Sequence, residues 1–126
     1  MRLYLTLLPL QFRSPEEYEY KPQTEKVDIY SMGNIFYYIL SKEWPFERMK
    51  SEEGQKRIIA GERPKLSKEI QSSKDPAILA VINAMNHCWI HDPTKRATAS
   101  EINKLLESQL RQMEDFYEDL LMPSKR

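Results

Sequence analysis

The side chains of this 126-residue chain best suited to chemistry lie in one short window, His87-Cys88-Trp89-Ile90-His91-Asp92. Two imidazoles four positions apart share a helix face. With the neighbouring thiol and carboxylate they offer the donor types that hold zinc. A closed tetrahedral site needs a second ligand pair, and the sequence has no other histidine and no other cysteine. Cys88 and Trp89 also fall at the end of an amphipathic stretch, where burial accounts for them without a metal. We expect no metal site. Phosphate chemistry is no better supplied. Gly33, Gly54 and Gly61 are the only glycines, too far apart to form a Gly-x-Gly phosphate loop. Phosphoryl transfer needs held phosphates, metal-binding side chains and a group that orients the attacking hydroxyl. None of these parts can be assigned here, so we expect no catalytic and no cofactor-binding residue in this chain.

The elements that would position such groups read as a series of capped helices. Ser14-Pro15-Glu16-Glu17 places a Ser N-cap, a Pro at the first helical position and a Glu three residues after the cap. Thr24 can cap the next helix, over about residues 25–42. Its middle, Ile35-Phe36-Tyr37-Tyr38-Ile39-Leu40, is apolar nearly all round, as in a helix surrounded by other elements. Trp44-Pro45-Phe46 should end it. A weaker helix over about 50–60 should stop at Gly61, with Pro64 just beyond. Asp75-Pro76 opens another, with Ile78, Ile82, Met85 and Trp89 recurring on one face. Thr98-Ala99-Ser100-Glu101 is a capping box. Behind it Ile102, Leu105, Leu106, Leu110, Met113, Tyr117, Leu120 and Leu121 carry an apolar stripe. No alternating β-pattern and no internal repeat occurs. The expectation is all-α.

Composition bounds the function. Forty per cent hydrophobic and 30% charged residues suit one modest soluble core. Nineteen basic against nineteen acidic residues leave no net field to attract nucleic acid. A single cysteine excludes an internal disulfide, so nothing points to an oxidising compartment and an intracellular setting is expected. No apolar run approaches the roughly 18–20 residues of a transmembrane helix. Met1-Arg2-Leu3-Tyr4-Leu5-Thr6-Leu7-Leu8 mimics the opening of a signal peptide, but Pro9 interrupts it and no small-x-small site follows. A mis-set start of the gene model is the preferred reading of residues 1–11.

Three blocks in fixed order carry a family resemblance: Phe12-Arg13-Ser14-Pro15-Glu16-Glu17, Asp28-Ile29-Tyr30-Ser31-Met32-Gly33, and Cys88-Trp89-Ile90-His91-Asp92-Pro93-Thr94-Lys95-Arg96. The first resembles the Ala-Pro-Glu block that closes the activation segment of protein kinases. The second resembles the Asp-x-Trp-x-x-Gly start of the helix that follows, with Tyr30 at the Trp. The third resembles the Cys-Trp-x-x-Asp-Pro-x-x-Arg-Pro block of tyrosine kinases and tyrosine-kinase-like kinases, with Ala97 at the last Pro.

The resemblance implies the C-terminal helical lobe of a protein-kinase-like fold, lacking the N-lobe and catalytic loop. Residues 12–107 would be the partial kinase domain, 1–11 an unassigned start, and 108–126 a helical extension with a basic tail. It implies a buried ion pair between Glu16 and Arg96. Asp28 and Gly33 would anchor the central helix, and Trp89 and Pro93 would pack the lobe. Asp28 holds the catalytic loop in the family; here, without that loop, it would do no more than favour its helix's N-terminus. The family pattern also accounts for Cys88 and Asp92 without zinc.

An intact relative would use ATP and Mg to phosphorylate protein hydroxyls; this chain alone would bind neither and be inactive. Whether Ser/Thr or Tyr is the target rests mainly on the catalytic loop, which is not here. The alternative is a non-catalytic, pseudokinase-like module docking a protein partner. A bare surface around Ile35, Phe36, Ile39 and Leu40 would favour self-association.

Overall fold

The computed structural model describes residues 12–121. The expected start at 1–11 and the Pro123-Ser124-Lys125-Arg126 tail lie outside the described residues. Among the described residues six α-helices follow one another: α1 (Pro15–Tyr18), α2 (Lys26–Ser41), α3 (Ser51–Ile59), α4 (Lys68–Gln71), α5 (Pro76–Cys88) and α6 (Ala99–Leu121). No strand occurs among the described residues.

Local chemistry sets most helix starts. The N–H and Oγ of Ser14 both donate to the Glu17 carboxylate, at 2.7 and 2.9 Å, which closes the box ahead of α1. Asp75 Oδ1 accepts from the Ala77 N–H at 2.9 Å, with Pro76 behind it opening α5. Thr98 Oγ1 accepts from the Glu101 N–H at 3.1 Å, and Glu101 accepts in return from the Thr98 hydroxyl at 3.1 Å. At α2, Thr24 Oγ1 accepts from the Lys26 N–H at 3.2 Å.

The end of α2 differs from expectation. The helix stops at Ser41 because Lys42 turns into the left-handed region, φ 62°, and its N–H closes on the Tyr38 carbonyl at 2.7 Å. Trp44-Pro45-Phe46 follows that stop and does not cause it. Gly61, φ 90°, takes the corresponding turn after α3, where a side chain would be strained. The four-residue α4, capped by Ser67 accepting from the Ile70 N–H at 3.2 Å, is too short for a periodicity signal and was not anticipated.

The core forms where α2 packs on α5, α6 packs on α5, and α1 meets α3. Tyr30, Tyr37, Ile58, Leu66, Met85 and Trp89 make one cluster; Ile29, Cys88, Ala97 and Ile102 make a second. The buried face of α5 is rotated from the expected one. Ala80, Ala84 and Cys88 are buried beside Met85 and Trp89, while Ile78 and Ile82 are only half-buried. Small residues let the helices approach closely, and Gly33 is the sharpest case. A Cβ there would sit 2.5 Å from Trp89 Cδ1 and 3.0 Å from Cys88 Cβ.

Nor is α2 enclosed all round. Ile35 and Ile39 are 49% and 50% exposed, whereas Phe36 and Leu40 pack against the core. The bare patch is therefore half of the one expected, because Phe36 and Leu40 point to the inner side of the helix. Helix α6 runs unbroken across the expected boundary at 107/108. Its stripe is buried at Ile102, half-buried at Leu105 and Leu106, and exposed at Leu110 and again from Phe116 onward.

Candidate functional site

Among the described residues a buried polar arrangement joins α1 to the turn before α6. Glu16 is the second residue of α1, so its carboxylate is aimed by the capped first turn at Ser14. Arg96 is aimed by the turn after α5. There Asp92 Oδ1 accepts from the N–H and hydroxyl of Thr94, at 2.9 and 2.7 Å, while the Asp92 carbonyl accepts from the N–H groups of Lys95 and Arg96. The Thr94 hydrogen bonds hold the Asp92 carboxyl below its usual range.

A guanidinium has five N–H donors, and every one of Arg96's is used. Nη1 and Nη2 donate to Glu16 Oε2 and Oε1 at 2.8 and 3.0 Å, a bidentate fork. Nε donates to the Ile90 carbonyl at 2.8 Å, Nη1 to that of Lys26 at 2.8 Å, and Nη2 to that of His91 at 3.0 Å. The side chains are 0% and 4% exposed for Arg96 and Glu16. Burial alone would raise the Glu16 pKa. The hydrogen bonds and charge of Arg96, with the bond from its own backbone N–H, outweigh this and leave it below the usual carboxylate value.

Neighbouring groups extend the arrangement. The Tyr30 ring packs against both Arg96 and Arg63, whose guanidinium carbons lie 5.1 and 4.9 Å from its centroid, and burial pushes its hydroxyl up to about 12. Arg63 Nε donates to the Trp89 carbonyl at 3.1 Å. The indole N–H of Trp89 donates to Asn34 Oδ1 at 2.9 Å in the interior, and Asn34 Nδ2 donates to the Phe12 carbonyl at 2.9 Å. Lys26 Nζ donates to the carbonyls of Pro93 and Arg96, tying the start of α2 to the same turn.

Glu16, Arg96, Trp89, Gly33 and Pro93 thus lie in one connected region. Asp28 stays apart, exposed in the first turn of α2. Lys26, Asn34 and Arg63 went unnoticed in the sequence. Only Asn34 carried a signal, as a lone amide inside an apolar helix that must find a partner if buried.

The side chains of the His87–Asp92 window have other surroundings. His87 Nδ1 contacts the Asn83 carbonyl at 2.8 Å, while His91 Nδ1 lies 3.4 Å from Arg63 Nη2. Cys88 is buried, which pushes its thiol up to about 11. Among the described residues no three His, Cys, Asp or Glu side chains converge as metal ligands. No helix among them is long and apolar enough to cross a membrane. The Arg96 hydrogen bonds bind α1, the start of α2 and the turn after α5 to one another.

The model of the protein kinase domain matches residues 6–106. Serine/threonine/tyrosine-protein kinase HT1 of Arabidopsis thaliana is 32% identical over 98 residues, 77% of this chain and 23% of that protein. RGS domain-containing serine/threonine-protein kinase A of Dictyostelium discoideum is 28% identical over 95 residues, 75% of this chain and 8% of that protein. Dual specificity protein kinase shkD of the same organism is 33% identical over 89 residues, covering 71% and 11%. The chain belongs to the protein kinase domain family. It spans less than a quarter of the length of each of these relatives.

Proposed function

We propose that residues 12–107 are the helical, substrate-side part of a protein kinase domain, and that the Glu16–Arg96 fork ties the end of its activation segment to the base of the lobe. The observation that carries this is the complete satisfaction of Arg96, whose five donors join α1, the start of α2 and the turn after α5. In the intact protein the reaction is transfer of the ATP γ-phosphoryl group to hydroxyls of a protein substrate. This chain supplies the scaffold and none of the phosphate-handling parts, so alone it is inactive. Purified chain, Mg²⁺ and labelled ATP should give no labelled protein substrate. Transfer that persists through removal of contaminating kinases would overturn the reading.

A second reading, a non-catalytic module that docks a protein partner, is favoured by the exposed Ile35, Tyr38 and Ile39 on α2. Hydrophobic-dye binding and sedimentation test it. Ile39→Lys should reduce dye binding and self-association together. Unchanged values would remove the support from that face.

A further inference from the structure

Tyr20 follows the end of α1, and its side chain is 94% exposed. Its N–H donates to the Glu17 carbonyl at 3.3 Å, and its backbone takes φ 55°, in the left-handed region. A bulky residue is strained there, whereas Gly or Asn would sit easily. Packing does not offset the strain. No hydrogen bond or ring contact engages the Tyr20 side chain among the described residues. The fold therefore gives no reason for an aromatic hydroxyl at this position, and a reason outside the chain is needed.

The other described tyrosines are engaged within the fold. Tyr30 and Tyr37 are buried, and the Tyr18 hydroxyl accepts from the Arg13 N–H at 3.3 Å. Tyr38 stacks on Trp44 at 4.0 Å, and Tyr117 lies edge-on to Phe116 within α6. Among them only Tyr20 stands outside a helix, at the head of an exposed, non-helical stretch that runs to Glu25. Such a stretch can enter another protein's groove without unwinding a helix. Glu17 and Glu19 precede it by three residues and one, and Glu19 pairs with Lys21 at the surface, at 3.1 Å. A basic substrate groove would meet a phenol preceded by negative charge, the kind of pattern by which kinases select substrates.

We propose that Tyr20 is a phosphorylation site, the acceptor for a separate tyrosine kinase whose substrate groove is basic. The phenolic oxygen attacks the γ-phosphorus of the ATP held by that enzyme. A new O–P bond forms, the bond from the γ-phosphorus to the β,γ-bridging oxygen breaks, and its electron pair leaves with ADP. The phenol proton passes to a base of the acting enzyme. The product places a charge of about −1.5 to −2 one residue from Lys21. It repels Glu19 and competes with it for the Lys21 ammonium, loosening a pair that lines the groove between α1 and the turn after α5. The inference stands on Tyr20 and its flanks and is independent of the kinase-lobe reading.

The test incubates the full chain with Mg²⁺, ATP and a soluble tyrosine-kinase domain that phosphorylates a Glu–Tyr copolymer, the copolymer serving as control. Mass spectrometry gives the initial rate at each tyrosine. Tyr20 should be phosphorylated at least about tenfold faster than Tyr38 or Tyr117. Tyr20→Phe should remove that product and leave the urea midpoint unchanged, because the side chain is unpacked. Glu19→Lys should slow the reaction at Tyr20 at least about fivefold, while Glu52→Lys on α3 leaves it unchanged. Equal or faster phosphorylation of Tyr38 or Tyr117, an unlabelled Tyr20 beside a labelled copolymer, or indifference to Glu19→Lys would each overturn the proposal.

Discussion

Replacing Arg96 with alanine should do more damage than any other single substitution of a charged residue here. It removes the bidentate fork to Glu16 and three hydrogen bonds to the carbonyls of Ile90, Lys26 and His91. A carboxylate stranded at 4% exposure costs about 3–5 kcal/mol. Each carbonyl that water cannot reach adds about 1 kcal/mol. Against a total stability of about 5–15 kcal/mol, the variant should be largely unfolded. Glu16→Ala should cost less, because Arg96 keeps its three carbonyl acceptors. Arg96→Lys should fall between wild type and Arg96→Ala, since an ammonium keeps the charge but cannot make the planar fork. The double alanine variant should lose about 0.5–3 kcal/mol less than the two single losses combined, because the second deletion removes the stranded charge. Urea titrations of the four proteins of the cycle at neutral pH, with Arg96→Lys as a fifth, measure all of this, and the milder variants keep it readable if Arg96→Ala does not fold. Additive losses of under about 1 kcal/mol each, the behaviour of surface pairs, would refute the reasoning.

Three further outcomes follow from the same geometry. Because Glu16 has its folded pKa lowered, its contribution to stability is complete above the unfolded value near 4.3 and is lost as pH falls through the folded value; Glu16→Gln should flatten that part of a urea-midpoint-against-pH curve. Gly33→Ala gains helix propensity of about 1 kcal/mol but drives a methyl to within 2.5 Å of Trp89, so thermal melting should show a net loss of about 1–3 kcal/mol. Cys88, buried and with its thiol pushed up to about 11, should resist thiol reagents in native buffer and react on denaturation, so its labelling should track the urea transition; fast native labelling would show that α5 opens locally.

Element by element, legibility followed the range of the forces involved. The boxes at Ser14–Glu17 and Thr98–Glu101 and the Asp75-Pro76 start are written within three residues, and each helix begins where its own sequence places it. The stop of α2 at Lys42 has no Gly to announce it, since there a lysine takes the left-handed turn. The rotation of α5's buried face toward Ala80, Ala84 and Cys88 was equally silent, because periodicity counts large apolar residues whereas close helix packing selects small ones. At the site, Glu16, Arg96, Trp89, Gly33 and Pro93 were named through family resemblance. Lys26, Asn34 and Arg63 had no motif to mark them.

The sequence by itself determined the helical class, most of the helix starts and the family, because caps, periodicity and motif blocks are local or near-local in the chain. Tertiary structure alone decided which surfaces meet. Arg96 and Glu16 are 80 residues apart, Arg96 and the Lys26 carbonyl 70, and Trp89 and Asn34 55. Three of Arg96's acceptors are backbone carbonyls, a group nearly identical at every residue, so no side-chain identity records the bond. The Ile90 and His91 carbonyls belong to Arg96's own turn, but only the packing of α2 on α5, where Gly33 lies against Trp89, brings the Lys26 carbonyl within reach of the same guanidinium.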